Sequence, residues 1–224
     1  MDSFVGNSTY YAVADKTALG AINPTWYVRY GKRTFDLVFS LLCVIFILSW
    51  LIPVVGILIK LCCPGPIFFL QKRNGQHGRP FWCLKFRTMR HKPDDAFAQC
   101  EKDDPRVTRI GRFLRKTNLD EMPQFVNVLI GNMSVVGPRP HAVQHDDKFW
   151  FALENYPARY QVRPGITGLA QVRGARGETS TIIKMKHRVK YDLVYIKHQS
   201  FGLDAKLCYN TVRAMLRGNV ENAW

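Results

Sequence analysis

The most prominent pattern in the chain is an apolar run near its start. From Leu37 to Ile59 (LVFSLLCVIFILSWLIPVVGILI) 23 residues pass without a charge, which meets the roughly 20-residue length that spans a bilayer. The run predicts a membrane-embedded helix. Pro53 lies well inside it, where proline removes one backbone hydrogen bond and clashes with the preceding turn, so a kink at or just before it is expected. Ser49, four residues upstream, is placed to satisfy a freed group. Arg29, Lys32 and Arg33 precede the run, and Lys60, Lys72 and Arg73 follow it. Basic residues at both ends leave the positive-inside rule undecided. They suit a helix that enters, bends at Pro53 and returns to the same face; a kinked spanning helix is the alternative.

Beyond the run the pattern changes. Pro64-Gly65-Pro66 releases the chain from helix. Residues 67–71 and 81–86 read as short extended runs around a turn at Gly75 to Gly78, a small hairpin near the membrane. Residues 92–105 (KPDDAFAQCEKDDP) read as a polar surface excursion. From 106 to 130, Ile110, Phe113, Leu114, Phe125, Val128 and Leu129 recur at helical spacing, with a break near Thr117-Asn118. Either Asn118 or Asp120 serves as N-cap. Pro123 fits best in a first turn and so favours a start near Asp120. That places Asp120 and Glu121 at a helix start, where the dipole favours carboxylates and nearby phosphates. Gly137-Pro138-Arg139-Pro140 and the stretch from Arg163 to Gly168 read as rigid turns carrying arginines. Residues 181–217 return to amphipathic helix, with Leu203, Leu207, Thr211, Met215 and Leu216 on one face that can pack on the core or lie on lipid.

Length and charge narrow the picture further. A chain of 224 residues without a flexible linker suits one compact domain. Its 32 Lys and Arg against 17 Asp and Glu call for an anionic partner: nucleic acid, lipid headgroups or a phosphorylated substrate. The six cysteines show no C-x-x-C pair and no zinc-ligand spacing, which suits a reduced, cytosol-facing protein. Residues 1–31 form a polar head, expected to be partly disordered, and its first 28 residues lack the continuous apolar core of a secretory signal.

Candidate chemistry centres on Asp120-Glu121. Arg106, Arg109, Arg112 and Arg115 recur every third residue up to this pair. Such a stripe is either a solvated basic face or a field for phosphates, and Arg115 is closest to the acids. Adjacent carboxylates on a helix point about 100° apart, so they serve one shared water poorly and divide labour well. One can attack phosphorus while the other helps hold Mg²⁺ against a diphosphate. On its own the pair reads first as capping electrostatics. His141 and His145, with Asp146 and Asp147, lack the glutamate of a zinc-protease motif, since Ala142 stands there, and read as surface or substrate-facing. Walker A, dinucleotide and serine-esterase motifs are absent from the sequence. The arginines cluster by motif and are not interleaved with aromatics, which disfavours nucleic acid as the partner. A membrane-tethered protein that binds anionic lipid or nucleic acid is the non-enzymatic alternative.

Taken in order, several segments resemble one family, the bacterial sugar transferases or monotopic phosphoglycosyl transferases. They are residues 65–69 (GPIFF), Gln71 and Arg73, 85–89 (KFRTM), 114–124 (LRKTNLDEMPQ), 127–129 (NVL), 133–140 (MSVVGPRP) and 163–168 (RPGITG). The resemblance covers about residues 32–224. It implies a mixed α/β fold dominated by helix, with little sheet: a re-entrant membrane helix over 32–62 and a cytosolic, interfacial catalytic domain over 63–224. It implies a protein of the bacterial inner membrane, catalytic on the cytoplasmic face, and allows a homodimer. By the resemblance, Asp120 is the nucleophile on the β-phosphate of a UDP-sugar, UMP leaves, and undecaprenyl phosphate then accepts the sugar phosphate. Glu121 would help bind Mg²⁺. Arg87, Arg112, Arg115, Arg139 and Arg176 would hold phosphates, and the stretch 176–179 (RGET) points to UDP-glucose, with UDP-galactose or a UDP-N-acetylhexosamine as alternatives. Asn132, Leu169 and the absence of a Ser-Pro break depart from the family pattern.

Overall fold

The computed structural model describes residues 25–90, 104–175, 177 and 181–217. The polar head over 1–24, the acidic excursion over 91–103 and Arg176 lie outside the described residues. Helix dominates, as expected, and sheet is confined to two pairs of short strands.

The apolar run lies in one helix, α1, Tyr27–Cys62, 36 residues long. It begins five residues before the expected start at Lys32. Pro53 is accommodated inside it, and a π-helical turn, Val44–Leu48, lies just upstream. There the Ser49 hydroxyl donates to the Ile45 carbonyl at 2.7 Å and the Trp50 indole to the Phe46 carbonyl at 2.9 Å. Side chains therefore serve backbone oxygens where the ladder changes pitch.

One stripe of α1 is buried along most of its length: Asp36, Ser40, Leu48, Leu51, Val55 and Ile59. Their spacing of three, four and eight residues is that of one helix face. The opposite face leaves Leu41, Phe46, Trp50, Ile57 and Leu61 exposed. Both ends are tied to the rest of the chain by charged side chains. At the start, Lys32 donates to the Val136 carbonyl at 2.9 Å and pairs with Asp204 at 2.8 Å. Asp36 accepts from the Ser134 hydroxyl and the Val135 amide, both at 2.9 Å. At the end, Arg87 donates to the carbonyls of Cys63 and Pro64 at 2.7 and 2.8 Å.

Strands β1, Phe68–Asn74, and β2, Pro80–Phe86, form the expected antiparallel hairpin, with Phe68 opposite Phe86 and Asn74 opposite Pro80. After β2 come α2, Arg109–Thr117, a 3₁₀ turn, Leu119–Glu121, and α3, Gln124–Leu129. Next are β3, Ser134–Val136, α4, Val143–Trp150, and β4, Gly165–Thr167, which pairs parallel to β3. The stretch read as a rigid turn at 163–168 thus contains a strand. The chain continues through α5, Leu169–Val172, α6, Ile182–Lys197, and α7, Phe201–Leu216.

The largest core cluster joins Leu48 of α1 to Phe81 and Cys83 of β2, Phe125 and Val128 of α3, Val136 of β3 and Leu207 of α7. A second sets Leu51, Val55 and Ile59 against Phe86 and Leu114. Helix α1 is therefore a wall of the core that carries the acids. On α7, Leu207 is buried and Leu203, Thr211 and Met215 are half-buried, but Leu216 is exposed, so the expected apolar face holds except at Leu216.

Candidate active site

Two backbone features bring the acids to this core. The first is Gly111, where an added Cβ would stand 1.9 Å from the Thr88 carbonyl oxygen. Only a glycine admits that approach, and it lays α2 against the segment that follows β2. Arg115, one turn later, donates to the Thr88 hydroxyl at 2.9 Å. The second is Asn118, left-handed at φ 58°, a conformation that asparagine tolerates better than most residues. It ends α2 and turns the chain into the Leu119–Glu121 3₁₀ turn, which buries both carboxylates. The acids thus sit between two helices and not in the first turn of an α-helix, because Met122 and Pro123 intervene before α3.

Glu121 is held from two sides. Lys85 of β2 reaches its Oε1 at 2.6 Å. Arg139, from the turn after β3, forks both oxygens, with Nη1 donating to Oε2 at 2.9 Å and Nη2 to Oε1. That bidentate geometry suits arginine and carboxylate. The Arg139 turn is placed by backbone packing: an added Cβ on Gly165 would lie 2.0 Å from the Gly137 nitrogen. The two glycine-bearing motifs are legible as partners only once β3 and β4 pair.

Asp120 differs from its neighbour. Its carboxylate has no hydrogen-bond donor among the described residues, although it is nearly as buried as that of Glu121. Burial raises its pKa above the ordinary aspartate value and the Glu121 charge adds to this, while Lys85, Arg115 and Arg139 act in the opposite direction. Burial likewise lowers the Lys85 ammonium, against the attraction of Glu121. For Arg139 burial opposes the charge, but the Glu121 carboxylate outweighs it and holds the guanidinium above its ordinary value.

The expected site residues fall into distinct places. Arg115 and Arg139 come to the acids. Arg112 and Arg109 are exposed on α2, and Arg106 forks Asp104, so the three-residue stripe divides. Arg87 is buried, and both its terminal nitrogens serve the carbonyls that follow α1. Its guanidinium ties down the exit of α1. His141 and Asp146 are buried, which corrects the surface reading; the side chains of His145 and Asp147 lie outside the described ones. Lys85 is a site residue that the sequence reading left within a motif. Its signal was alternation: Phe81, Cys83 and Lys85 share one strand face, the first two fully buried, and a lysine on such a face needs a carboxylate partner.

Among the described residues no group of three or more His, Cys, Asp or Glu side chains is placed to hold a metal ion. Magnesium bound largely by substrate phosphates needs only one or two protein carboxylates. Glu121 would be the protein carboxylate to share an oxygen with such an ion, beside the Lys85 and Arg139 side chains that already bond to it.

Residues 27–218 match the family described as bacterial sugar transferase. The chain is 45% identical over 197 residues to the UDP-glucose:undecaprenyl-phosphate glucose-1-phosphate transferase of Escherichia coli, covering 88% of this chain and 41% of that protein. A protein of the same description from Caulobacter vibrioides is 46% identical over 203 residues, covering 90% of this chain and 74% of its own. The UDP-N-acetylgalactosamine-undecaprenyl-phosphate N-acetylgalactosaminephosphotransferase of Aeromonas hydrophila is 38% identical over 201 residues, covering 89% of this chain and 47% of that protein. The chain therefore spans about two fifths of the Escherichia coli relative. With the motifs around Asp120 and a match that runs from the start of α1 to just past α7, the chain belongs to the bacterial sugar transferase family.

Proposed function

We propose that this protein transfers a hexose 1-phosphate from a UDP-sugar, UDP-glucose foremost, to undecaprenyl phosphate in two displacements at one phosphorus. The observation that carries this reading is the asymmetry of the two acids: Glu121 is clamped by Lys85 and Arg139, while the Asp120 carboxylate is buried beside them without a donor among the described residues. A carboxylate left with free lone pairs in a cationic pocket is equipped to attack a phosphoryl group.

In the first displacement an Asp120 oxygen bonds to the β-phosphorus of the donor. The bond from that phosphorus to the oxygen bridging the two phosphates breaks, and UMP leaves with the electron pair. In the second, a phosphate oxygen of undecaprenyl phosphate attacks the same phosphorus and the Asp120 carboxylate departs, giving a lipid-linked sugar diphosphate. Arg115 and Arg139 supply positive charge where negative charge develops on the phosphoryl oxygens, and Lys85 keeps Glu121 oriented. Magnesium, when bound with the donor, neutralises diphosphate charge. The UDP-glucose preference rests on the Escherichia coli and Caulobacter relatives. The Aeromonas relative makes a UDP-N-acetylhexosamine the second reading.

The embedded helix supports a protein inserted from one face, the cytoplasmic one. Lys32 and Asp36 at one end of α1 and the Cys63-Pro64 carbonyls at the other are bonded to the same catalytic core. A helix crossing the bilayer would carry one end away from it.

A panel of UDP-sugars, assayed for UMP release with undecaprenyl phosphate and magnesium, tests this reading. Turnover is expected with UDP-glucose and none from Asp120→Asn. Wild-type turnover by that variant would overturn the nucleophile assignment.

A further inference from the structure

Behind the Arg139 turn lies a second buried cluster that the proposed chemistry does not use. It contains His141, Asp146, Tyr156, Arg159, Arg188 and Asp192, all almost inaccessible to solvent. Arg159 spans it. Its Nε donates to Asp192 at 2.7 Å, its Nη1 stands 3.0 Å from His141 Nδ1, and its Nη2 donates to the Arg139 carbonyl oxygen at 2.8 Å. The residue whose side chain grips Glu121 is thus held by its own backbone from the opposite side.

Guanidinium N–H groups turn toward both ring nitrogens, so His141 is neutral and accepts at one of them. Tyr156 donates to Asp146 at 2.5 Å, so its oxygen accepts from His141 Nδ1 at 2.6 Å. Nε2 then accepts from Arg188 Nη1 at 3.1 Å, since a guanidinium has no acceptor to offer. Arg159 Nη1 also points at Nδ1, at 3.0 Å, and is the donor that the other tautomer would accept. Arg188 also donates to the carbonyls of Ala175 and Gly177, at 3.0 and 2.6 Å, which fastens a second loop to the same histidine. Two guanidinium charges face two aspartates, and a neutral imidazole separates them.

We propose that Arg159 is a positioning residue for phosphoryl transfer, acting through Arg139: by holding the Arg139 carbonyl it fixes the turn from which that guanidinium passes between Glu121 and the donor diphosphate. This rests on the reaction proposed above. A residue that acts only through Arg139 loses its effect once that guanidinium is gone, whereas a residue that merely supports the fold does not.

The test is a double-mutant cycle in lipid nanodiscs with Arg159→Lys and Arg139→Gln, measuring kcat and KM for UMP release per folded protein, with folding scored by thermal unfolding. Alone, Arg159→Lys is expected to lower kcat roughly 10- to 100-fold, with KM for the donor changed far less. In the Arg139→Gln background it is expected to change kcat no further. His141→Gln, which removes no charge pair, provides the same cycle should Arg159→Lys fail to fold. Losses that multiply in the double variant, or a wild-type kcat in Arg159→Lys, would overturn the positioning role alone. Absence of UMP release from the wild-type protein would instead overturn the reaction on which it rests.

Discussion

Two buried charge clusters lie back to back across the Arg139 turn, and they differ in how completely they are satisfied. In the cluster of Arg159, Arg188, Asp146 and Asp192, charges balance, and both carboxylates accept hydrogen bonds. In the other, Lys85, Arg115 and Arg139 surround Asp120 and Glu121, and among the described residues one carboxylate accepts bonds from two cations while the other accepts none. Burying a charge is costly unless it is paired and bonded. The first cluster spends its pairing on structure; the second leaves one anion short of donors. That deficit marks where a substrate phosphorus and its cationic surroundings belong.

Substitutions that remove one acid from each cluster separate these roles. Asp120→Asn is expected to lower UMP release by about three orders of magnitude or more, while leaving the thermal midpoint unchanged or raised, because it removes a buried charge without a donor. A lowered midpoint would show that Asp120 is part of the scaffold. Asp192→Ala is expected to act in the opposite sense, destabilising the fold by about 3–5 kcal/mol, since Arg159 then keeps a buried charge without its partner. Chemical denaturation in nanodiscs measures it, and a change under about 1 kcal/mol would remove the contrast between the clusters. Lys85→Met is the mildest of the three. It keeps the buried stem and removes one of the cations on Glu121, and kcat is expected to fall about tenfold, with Arg139 still holding the carboxylate. Unaltered kcat would reduce Lys85 to a charge balance.

Much of this was legible in the sequence, but unevenly. The α1 run, the hairpin and the tail helices followed from local periodicity and from Gly and Pro punctuation. Asp120, Glu121, Arg115 and Arg139 come together in the structure because Gly137 and Gly165, in two of the motifs, and Gly111, just before a third, allow close backbone approach. What escaped depended on contacts distant in the chain. Arg87 read as a phosphate ligand, yet its partners are the carbonyls of Cys63 and Pro64, released where α1 ends. His141 and Asp146 read as surface or substrate-facing because their partners, Tyr156 with Arg159, Arg188 and Asn74, come from three other segments. The helix start assigned to Asp120 shifted because Asn118 takes the left-handed conformation, a choice made by packing as much as by residue type.

The central claim is that Asp120 carries the sugar phosphate covalently between the two displacements. Intact-protein and peptide mass spectrometry of the wild-type protein, quenched after mixing with UDP-glucose and magnesium in the absence of lipid acceptor, tests it most directly. The expected result is a hexosyl-phosphate adduct on the peptide containing Asp120, with an equivalent of UMP released and the adduct lost on adding undecaprenyl phosphate. UMP release that requires the lipid acceptor, with no adduct on that peptide, would contradict it.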